Sequence, residues 1–229
     1  KIINLKRINF EIIVVNDGSS DDSLNLVKKF SKKNKIILIS HKKNYGKGAA
    51  IKSARKFITG NIVIIQDADL EYNPKDYFKL IKPIKENKYK VVYGSRVLNR
   101  KRYSAVGFTS MFRVFGNHLL TLISNILNLQ KLTDAHTCYK VFSYKVFKKI
   151  KLEENGFEFC PEITTKISKL KLKIKEIPIS YVGRKYNEGK KIKSIDAIKA
   201  LITLIKYNYF RWKLSIKNFI LNWWMTYLI

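Results

Sequence analysis

Residues 61–71 read Asn61-Ile-Val-Ile-Ile-Gln-Asp-Ala-Asp-Leu-Glu71, an apolar run that ends in three acidic residues at alternate positions. Four consecutive Ile and Val residues are typical of a strand that is buried on both faces. The acidic end, Asp67-Ala68-Asp69 followed by Glu71, marks the point where this strand leaves the sheet. We therefore predict a strand over residues 61–66 with a polar site at its carboxyl end.

Other segments of the first hundred residues repeat this pattern. The predicted strands cover residues 11–15, 36–40 and 90–93, and the predicted helices cover 21–33, 49–58 and 74–86. Apolar strands that alternate with helices indicate a mostly parallel sheet with helices on both faces, an α/β fold. Ligands of such sheets bind at the carboxyl ends of the strands. Both Asn16-Asp17-Gly18 and Asp67-Ala68-Asp69 lie at such ends, which is a nucleotide-binding layout.

The second half is less regular. We predict a helix over residues 162–170, a strand over 174–180 and an amphipathic helix over 196–207. Residues 105–129 are nearly free of charge, with Arg113 as the exception, and residues 214–229 are rich in Ile, Leu, Phe and Trp. Neither segment contains the ~20 uninterrupted apolar residues that a spanning helix needs.

Composition sets the broad class. The 229 residues are 46% hydrophobic and 13% aromatic, which excludes a disordered chain. The formal net charge is +29, which indicates a polyanionic neighbour such as nucleic acid or an anionic membrane, or reflects an AT-rich genome. Two cysteines, Cys138 and Cys160, are too few for a disulfide framework, so a reducing environment is expected.

Asp67, Asp69 and Glu71 form the candidate metal site. Carboxylates spaced two apart at a strand end can turn towards one ion, and hard oxygen ligands suit Mg²⁺ or Mn²⁺ holding a diphosphate. The metal would neutralise the charge of a departing nucleoside diphosphate. The alternative is an acidic turn or a helix N-cap.

Two further segments are candidates for donor binding. Asp17 can accept hydrogen bonds from a ribose or a base, or it can cap the following helix. The turn Asn44-x-Gly46-Lys47-Gly48 offers backbone N–H groups and one ammonium to a phosphate, or it is a simple glycine turn. Neither a P-loop nor a dinucleotide-binding fingerprint is present.

Together these segments resemble a known family. The runs Val14–Ser23, Asn44–Ala50 and Gln66–Tyr72 are similar to glycosyltransferase family 2, and within it to the polyprenol (dolichol)-phosphate mannosyl- and glucosyltransferases. The resemblance extends from about residue 11 to 193. Further matches are Tyr93-Gly-Ser-Arg96, Asp134-x-x-Thr-Cys-Tyr-Lys140, Gly156-Phe-Glu-Phe159 with Pro161-Glu162, and Arg184 with Glu188-Gly-Lys190.

The resemblance implies a GT-A (Rossmann-like) fold, a UDP- or GDP-linked sugar donor, inversion at the anomeric carbon and a role for each matched residue. We expect residues 1–193 to form the glycosyltransferase domain and residues 194–229 to form C-terminal membrane-associated helices. The implied catalytic residues are Asp69, Arg96, which faces the acceptor phosphate, and Asp134. The implied donor-binding residues are Val15, Asp17, Gly46, Lys47, Asp67, Ala68, Asp69, Arg184 and Lys190, and the implied metal ligands are Asp67, Asp69 and Glu71. Glu71 stands where relatives often carry Gln, and Cys138 where many carry Gly.

A polyprenyl phosphate acceptor fits the absence of a nucleophile–base pair. A lipid phosphate is already an anionic nucleophile, so the site must mainly align two phosphates and offset their charge. Glu158 and Glu162 line the same pocket as Asp134 or have ordinary surface roles, and His41, His118 and His136 are expected to be structural.

The acceptor also requires a membrane-facing surface at the cytoplasmic face. Residues 105–129 and 214–229 are candidates for interfacial helices, with Trp212, Trp223 and Trp224 at headgroup level. They are alternatively core or oligomer-interface helices, or residues 216–229 begin a transmembrane segment.

One feature of the family is missing from this sequence. The family usually opens with a strand that ends in a Pro-x-Tyr-Asn-Glu turn, and no such turn occurs here. We expect the chain to lack that first strand, which would lie between the strands over residues 11–15 and 61–66. We therefore expect this chain alone to bind donor weakly or to fold poorly, because strand edges would lose their partner.

Two alternative functions remain open. One is a family 2 transferase with a glycan or polysaccharide acceptor, which needs a carboxylate base such as Asp134 or Glu158. The other is a basic, non-catalytic module for nucleic acid or anionic lipid, supported by the charge of +29. No stretch resembles an RNA-recognition motif, so a nucleic-acid partner is not expected.

Overall fold

The computed structural model describes residues 1–5, 8–98, 108–184 and 195–209, with backbone alone for 108–113. The strands are β1 (Ile12–Asp17), β2 (Ile36–His41), β3 (Ile62–Ile64), β4 (Val91–Ser95), β5 (Lys140–Ser143) and β6 (Ile174–Pro178). The helices are α1 (Ser23–Lys33), α2 (Lys47–Arg55), α3 (Tyr77–Lys85), α4 (Phe108–Asn128), α5 (Tyr144–Lys149), α6 (Phe159–Lys169) and α7 (195–209). A 3₁₀ turn, Pro74–Asp76, leads into α3.

The described strands form two sheets. β1 and β2 pair in parallel, in a register that places Asp17 opposite His41. The second sheet has the order β3-β5-β4-β6, in which β5 is antiparallel to both of its neighbours and β4 is parallel to β6. Three of its four strands therefore run in one direction, as the alternation of strands and helices predicts, and β5 with α5 is an addition that the sequence analysis missed.

The edges of the two sheets bear on the expected absent strand. Among the described residues, β1 pairs only with β2 and β3 pairs only with β5. At their amino ends the two strands are linked by Glu11, whose carboxylate accepts hydrogen bonds from the N–H groups of Thr59 and Gly60, both at 2.8 Å. The donor affinity of this chain remains a prediction.

The hydrophobic core lies under the second sheet. Its fully buried residues come mainly from β4, β5, α3 and α6, and residues 1–64 contribute only partly buried side chains to it. The largest apolar side chains with 0% exposure are Tyr93, Tyr139, Phe142, Phe159, Leu80, Ile163 and Ile167. The strands of this sheet are therefore held in place by a well-packed core.

Helix α2 joins the first sheet to the second through its amino end. The Gly48 N–H donates to the Gly156 carbonyl at 3.2 Å, and the Ala49 N–H donates to the Asn155 carbonyl at 2.9 Å. A Cβ at position 48 would lie 2.3 Å from the Glu154 carbonyl oxygen, and Gly46 has φ +99°. Only glycine permits this approach.

We predict that Gly48→Ala destabilises the protein by about 2 kcal/mol or more, because the added Cβ meets backbone rather than a movable side chain. Gly116→Ala in α4 is the matched control, since a Cβ there has nothing within 4 Å. Alanine is a better helix former than glycine, so this control should gain up to about 1 kcal/mol. Urea unfolding at equilibrium measures both, and equal effects would contradict the steric argument.

Helix α7 packs against the body of the domain. The Tyr207 hydroxyl donates to the carboxylates of Glu153 and Glu154, at 3.1 and 2.9 Å, and the Asn208 side chain donates to Asn128 at 3.2 Å. The expected interfacial segment over residues 214–229 lies outside the described residues. None of the described helices combines the length and the hydropathy that crossing a membrane requires.

Candidate active site

The acidic segment begins where β3 leaves the second sheet. The Asp67 N–H donates to the Cys138 sulfur at 3.1 Å, Ala68 and Asp69 form a turn, and the Glu71 N–H donates to Asp69 Oδ1 at 3.2 Å. Burial raises the pKa of Asp69; the Glu71 N–H and Arg184 oppose this rise, and the negative charges of Asp67 and Glu71 add to it. The three carboxylates are thus close enough to repel one another.

Two cations of the chain offset this repulsion. Lys47 Nζ lies 2.7 Å from Asp67 Oδ1, and Arg184 lies 3.2 Å from Asp69 Oδ2 and 3.4 Å from Glu71 Oε1. The structure therefore brings the expected donor-binding residues Lys47 and Arg184 to the expected metal ligands.

The three-carboxylate metal site expected at Asp67, Asp69 and Glu71 stays a prediction. Oxygen donors suit Mg²⁺ or Mn²⁺ chemically, but no group of three His, Cys, Asp or Glu side chains in the described part of the chain could hold a metal ion. Glu71 is the clearest departure, because its carboxylate accepts from the Tyr181 hydroxyl at 2.8 Å and from the Arg184 N–H at 2.9 Å. In this geometry Glu71 holds the segment that carries Arg184.

Arg96 and Asp134 form a second acid–cation cluster beside the first. Arg96 donates to Asp134 through Nε at 2.7 Å and Nη2 at 2.8 Å. The guanidinium carbon Cζ of Arg96 lies 5.3 Å from the ring centre of Tyr181. Burial raises the pKa of Asp134, but the Arg96 charge and hydrogen bonds lower it to about 2. Because the Asp134 side chain is fully buried, it orients Arg96 and does not itself face the open site.

The loop that carries Asp134 is fixed from two sides. Glu176 of β6 accepts the N–H groups of Thr133 and Asp134, at 2.7 and 2.9 Å. The fully buried ammonium of Lys140 donates to the carbonyls of Ala135 and Thr137, at 2.9 and 2.7 Å, and lies 4.2 Å from the Tyr93 ring centre. These contacts fix the loop that carries Asp134, and Asp134 in turn fixes the position of the Arg96 side chain.

His136 lies in this loop and is predicted to make stability depend on pH. Burial, with the charges of Lys140 and Arg96, lowers its pKa to about 4, against the opposing effect of Asp134. Because the unfolded chain then binds the proton more tightly, stability is lost as pH falls from about 6.5 to about 4. We expect His136→Asn to remove up to about 3 kcal/mol of this loss.

Urea unfolding of both proteins at pH 7.5, 5.5 and 4.5 measures the effect. His118→Asn is the control. A slope with pH that is the same in His136→Asn and in the wild type would contradict the assignment.

The turn expected to bind phosphate through its backbone uses those N–H groups internally. Asp17 accepts from the N–H groups of Tyr45 and Gly46, at 2.9 and 2.7 Å, and residues 155 and 156 accept those of Gly48 and Ala49. Val15 lies in β1 opposite Ile39, partly buried. Lys190 lies outside the described residues.

Three residues of the site have contacts that the sequence analysis did not assign. Lys140 supports Asp134, Tyr181 connects Arg96 to Glu71, and His41 contacts Asp17 at 2.6 Å. Two of them carried a signal, since Lys140 belongs to the matched segment that begins at Asp134, and His41 follows the second apolar strand and so lies at the same sheet edge as Asp17.

Comparison with known proteins identifies the family of this chain. The profile of glycosyl transferase family 2 matches residues 1–151. The chain belongs to glycosyl transferase family 2. An uncharacterised protein of Methanocaldococcus jannaschii is 30% identical over 90% of this chain and 85% of its own length. The predicted family and its α/β, GT-A fold are thus confirmed.

Relatives with assigned activities are also found in the family. Dolichyl-phosphate β-glucosyltransferase ALG5D of Trichomonas vaginalis is 31% identical over 88% of this chain and 62% of its own length, so this chain spans less than two thirds of that relative. A UDP-N-acetylglucosamine–dolichyl-phosphate N-acetylglucosaminyltransferase of Methanococcus voltae is 29% identical over 80% of both chains.

Among solved structures, glucosyl-3-phosphoglycerate synthase of Mycobacterium tuberculosis shares the fold. Its complex with UDP has a TM-score of 0.62 at 15% identity, over 86% of this chain and 68% of that one. Its complex with Mn²⁺, UDP-glucose and phosphoglyceric acid has a TM-score of 0.61 at 16% identity over the same shares.

Proposed function

We propose that this family 2 member is an inverting glycosyltransferase that moves a hexose from a UDP- or GDP-linked donor to polyprenyl phosphate at a membrane surface. The observation that carries the proposal is the pair of acid–cation clusters joined by Tyr181. One contains Lys47, Arg184 and three carboxylates, and the other contains Arg96 and Asp134. Relatives named as dolichyl-phosphate transferases support the acceptor class.

Two clusters suit a reaction between two phosphate groups. Lys47 and Arg184 would bind the diphosphate of the donor, which is the leaving group. Arg96 would bind the acceptor phosphate, because Asp134 uses only two of its five side-chain N–H groups. The acceptor phosphate is already ionised, so alignment and charge offset provide the catalysis.

The divalent metal is part of the proposal. Asp67 and Asp69 have the oxygen donors that Mg²⁺ or Mn²⁺ prefers, and a metal there would stabilise the charge of the leaving diphosphate. A metal there would share Asp67 with Lys47 and Asp69 with Arg184.

The expected membrane surface is supported by helix α4, whose amphipathic character is inverted. Polar residues face the domain, and apolar residues face outwards: Ile126 is 73% exposed, whereas Asn128 is 1% exposed. The exposed stripe repeats every three or four residues and consists of Phe115, Leu119, Leu122, Ile126 and Leu129. Such a stripe is unfavourable in water and suits the interface of a bilayer.

Helix α7 also exposes an apolar stripe, although its buried face mixes apolar and polar residues. Leu204 is buried together with Thr203 and Asn208, and the exposed stripe consists of Ile195, Ile198, Ile202, Ile205 and Tyr209. The hydrogen bond from Asn208 to Asn128 shows that α7 contacts the C-terminal end of α4. Because Asn117 of α4 approaches Asp134 at 3.5 Å, the stripe of α4 begins near the proposed acceptor phosphate.

The donor and acceptor are tested by a transfer assay. Radiolabelled UDP-glucose, UDP-galactose, UDP-N-acetylglucosamine and GDP-mannose are incubated with polyprenyl phosphate and Mn²⁺ or Mg²⁺. We expect label in the organic extract from one donor, and a loss of about 100-fold or more in Asp69→Asn. Arg96→Lys should lose bidentate geometry and raise the KM for acceptor.

Asp22→Asn, a change at an exposed acid that precedes α1, is the control and should be fully active. Label in a polysaccharide fraction would favour the glycan acceptor instead. Salt-sensitive oligonucleotide binding that is indifferent to Asp69→Asn would favour the binding module.

Vesicle flotation tests the membrane surface. We expect the protein to float with vesicles that contain phosphatidylglycerol, and Ile126→Lys and Ile202→Lys each to reduce binding several-fold, since each places a charge in the apolar stripe. Leu26→Lys is the matched control, because Leu26 is 61% exposed on α1, away from both stripes. Equal losses in all three variants would contradict a surface built from α4 and α7.

A further inference from the structure

Three side chains at the end of the first sheet form an unbroken hydrogen-bond chain. Asp17 Oδ1 lies 2.6 Å from His41 Nδ1, and His41 Nε2 lies 2.9 Å from Ser53 Oγ. They come from three elements, since Asp17 ends β1, His41 ends β2 in register with it, and Ser53 lies on α2. These hydrogen bonds therefore connect the first sheet to helix α2, which begins at Lys47.

The hydrogen-bond partners fix the imidazole at both nitrogens. An ionised carboxylate can only accept, so His41 Nδ1 carries the proton that it donates to Asp17. In the neutral ring Nε2 then accepts from the Ser53 hydroxyl. The His41 ring is thus held in one orientation, and that orientation determines where Asp17 points.

Asp17 in turn holds the turn that leads into α2. Its carboxylate accepts the N–H groups of Tyr45 and Gly46 in addition to His41. Burial raises the pKa of Asp17, but His41, Tyr45 and Gly46 together lower it, so the ionised form is favoured. Of the roughly four acceptor positions of a carboxylate, these three bonds leave room for one more donor, such as a nucleoside N–H or hydroxyl.

The chain of contacts continues to the acidic segment. Gly46 precedes Lys47, whose ammonium binds Asp67 at 2.7 Å. The orientation of His41 therefore affects two things. One is the direction of the Asp17 carboxylate, and the other is the placement of Lys47.

We propose that His41, oriented by Ser53, is a positioning residue for the nucleotide part of the donor. It aims Asp17 and fixes the turn over Tyr45, Gly46 and Lys47. The inference rests on the proposed function, and it assigns to His41 a role beyond structural support.

Two variants separate the two hydrogen bonds of the ring. His41→Asn retains a donor near the position of Nδ1 and so keeps the contact with Asp17. His41→Gln reaches the position of Nε2, which keeps the contact with Ser53 and loses that with Asp17. His41 lines an open cavity of about 320 Å³, so we expect both variants to fold, and thermal unfolding checks this.

The measurement is the binding of UDP and GDP, each with Mg²⁺, by calorimetry, together with the transfer assay. We expect His41→Gln to weaken nucleotide binding and to raise the KM for donor about tenfold, with kcat within twofold. His41→Asn should stay within threefold of the wild type in both values, and Ser53→Ala should fall between them. Lys29→Gln, an exposed change on α1 that does not line this cavity, is the control and should change nothing.

A second readout does not depend on the ligand. Hydrogen exchange of the Tyr45 and Gly46 amides should speed up in His41→Gln and stay slow in His41→Asn. Equal exchange and equal nucleotide affinity in both variants would overturn the positioning role, as would equal losses of kcat in both.

Failure of the proposed function gives a different result. A wild-type protein that binds neither UDP nor GDP would overturn both the donor class and this inference. If the wild type binds nucleotide and His41→Gln binds it equally tightly, the inference alone is overturned. Covalent labelling of Ser53 by a fluorophosphonate would also overturn it, since the three groups would then activate a nucleophile.

Discussion

The geometry of the candidate site depends on the close approach of α2 to the backbone of residues 154–156. Among the described strands the two sheets share no hydrogen-bonded pair. Their relative placement at the carboxyl edge therefore depends on contacts such as the Gly48 N–H to the Gly156 carbonyl. A side chain at position 48 would push the helix away. This approach is what brings Lys47 to Asp67 and makes one site from two sheets.

Charge balance is the second constraint on the site. The chain has a net charge of +29, and the acidic residues of the site are paired with cations that are distant from them in the sequence. Buried charges are costly unless they are paired and hydrogen-bonded. The pairing with Arg184 and Arg96 therefore stabilises the carboxylates. It also places these two cations close together, where they would bind phosphate groups.

Much of the fold could be predicted from local pattern. The strands β1 to β4 and the helices between them have apolar runs or helical periodicity of their own, so neighbouring residues suffice to identify them. Strand β5 was missed because it begins with Lys140, a charge that sequence patterns assign to the surface. Its ammonium is buried only because the carbonyls of Ala135 and Thr137 and the Tyr93 ring receive it.

The candidate site divides in the same way. Residue type and order alone show which residues carry charge and that Asp17 and Asp67 follow apolar strands. The tertiary contacts establish which cation binds which acid, that Glu71 accepts hydrogen bonds from Tyr181 and Arg184, and that α4 exposes its apolar side. Those outcomes depend on contacts between residues as much as 115 positions apart, such as Asp69 and Arg184, which no local pattern contains.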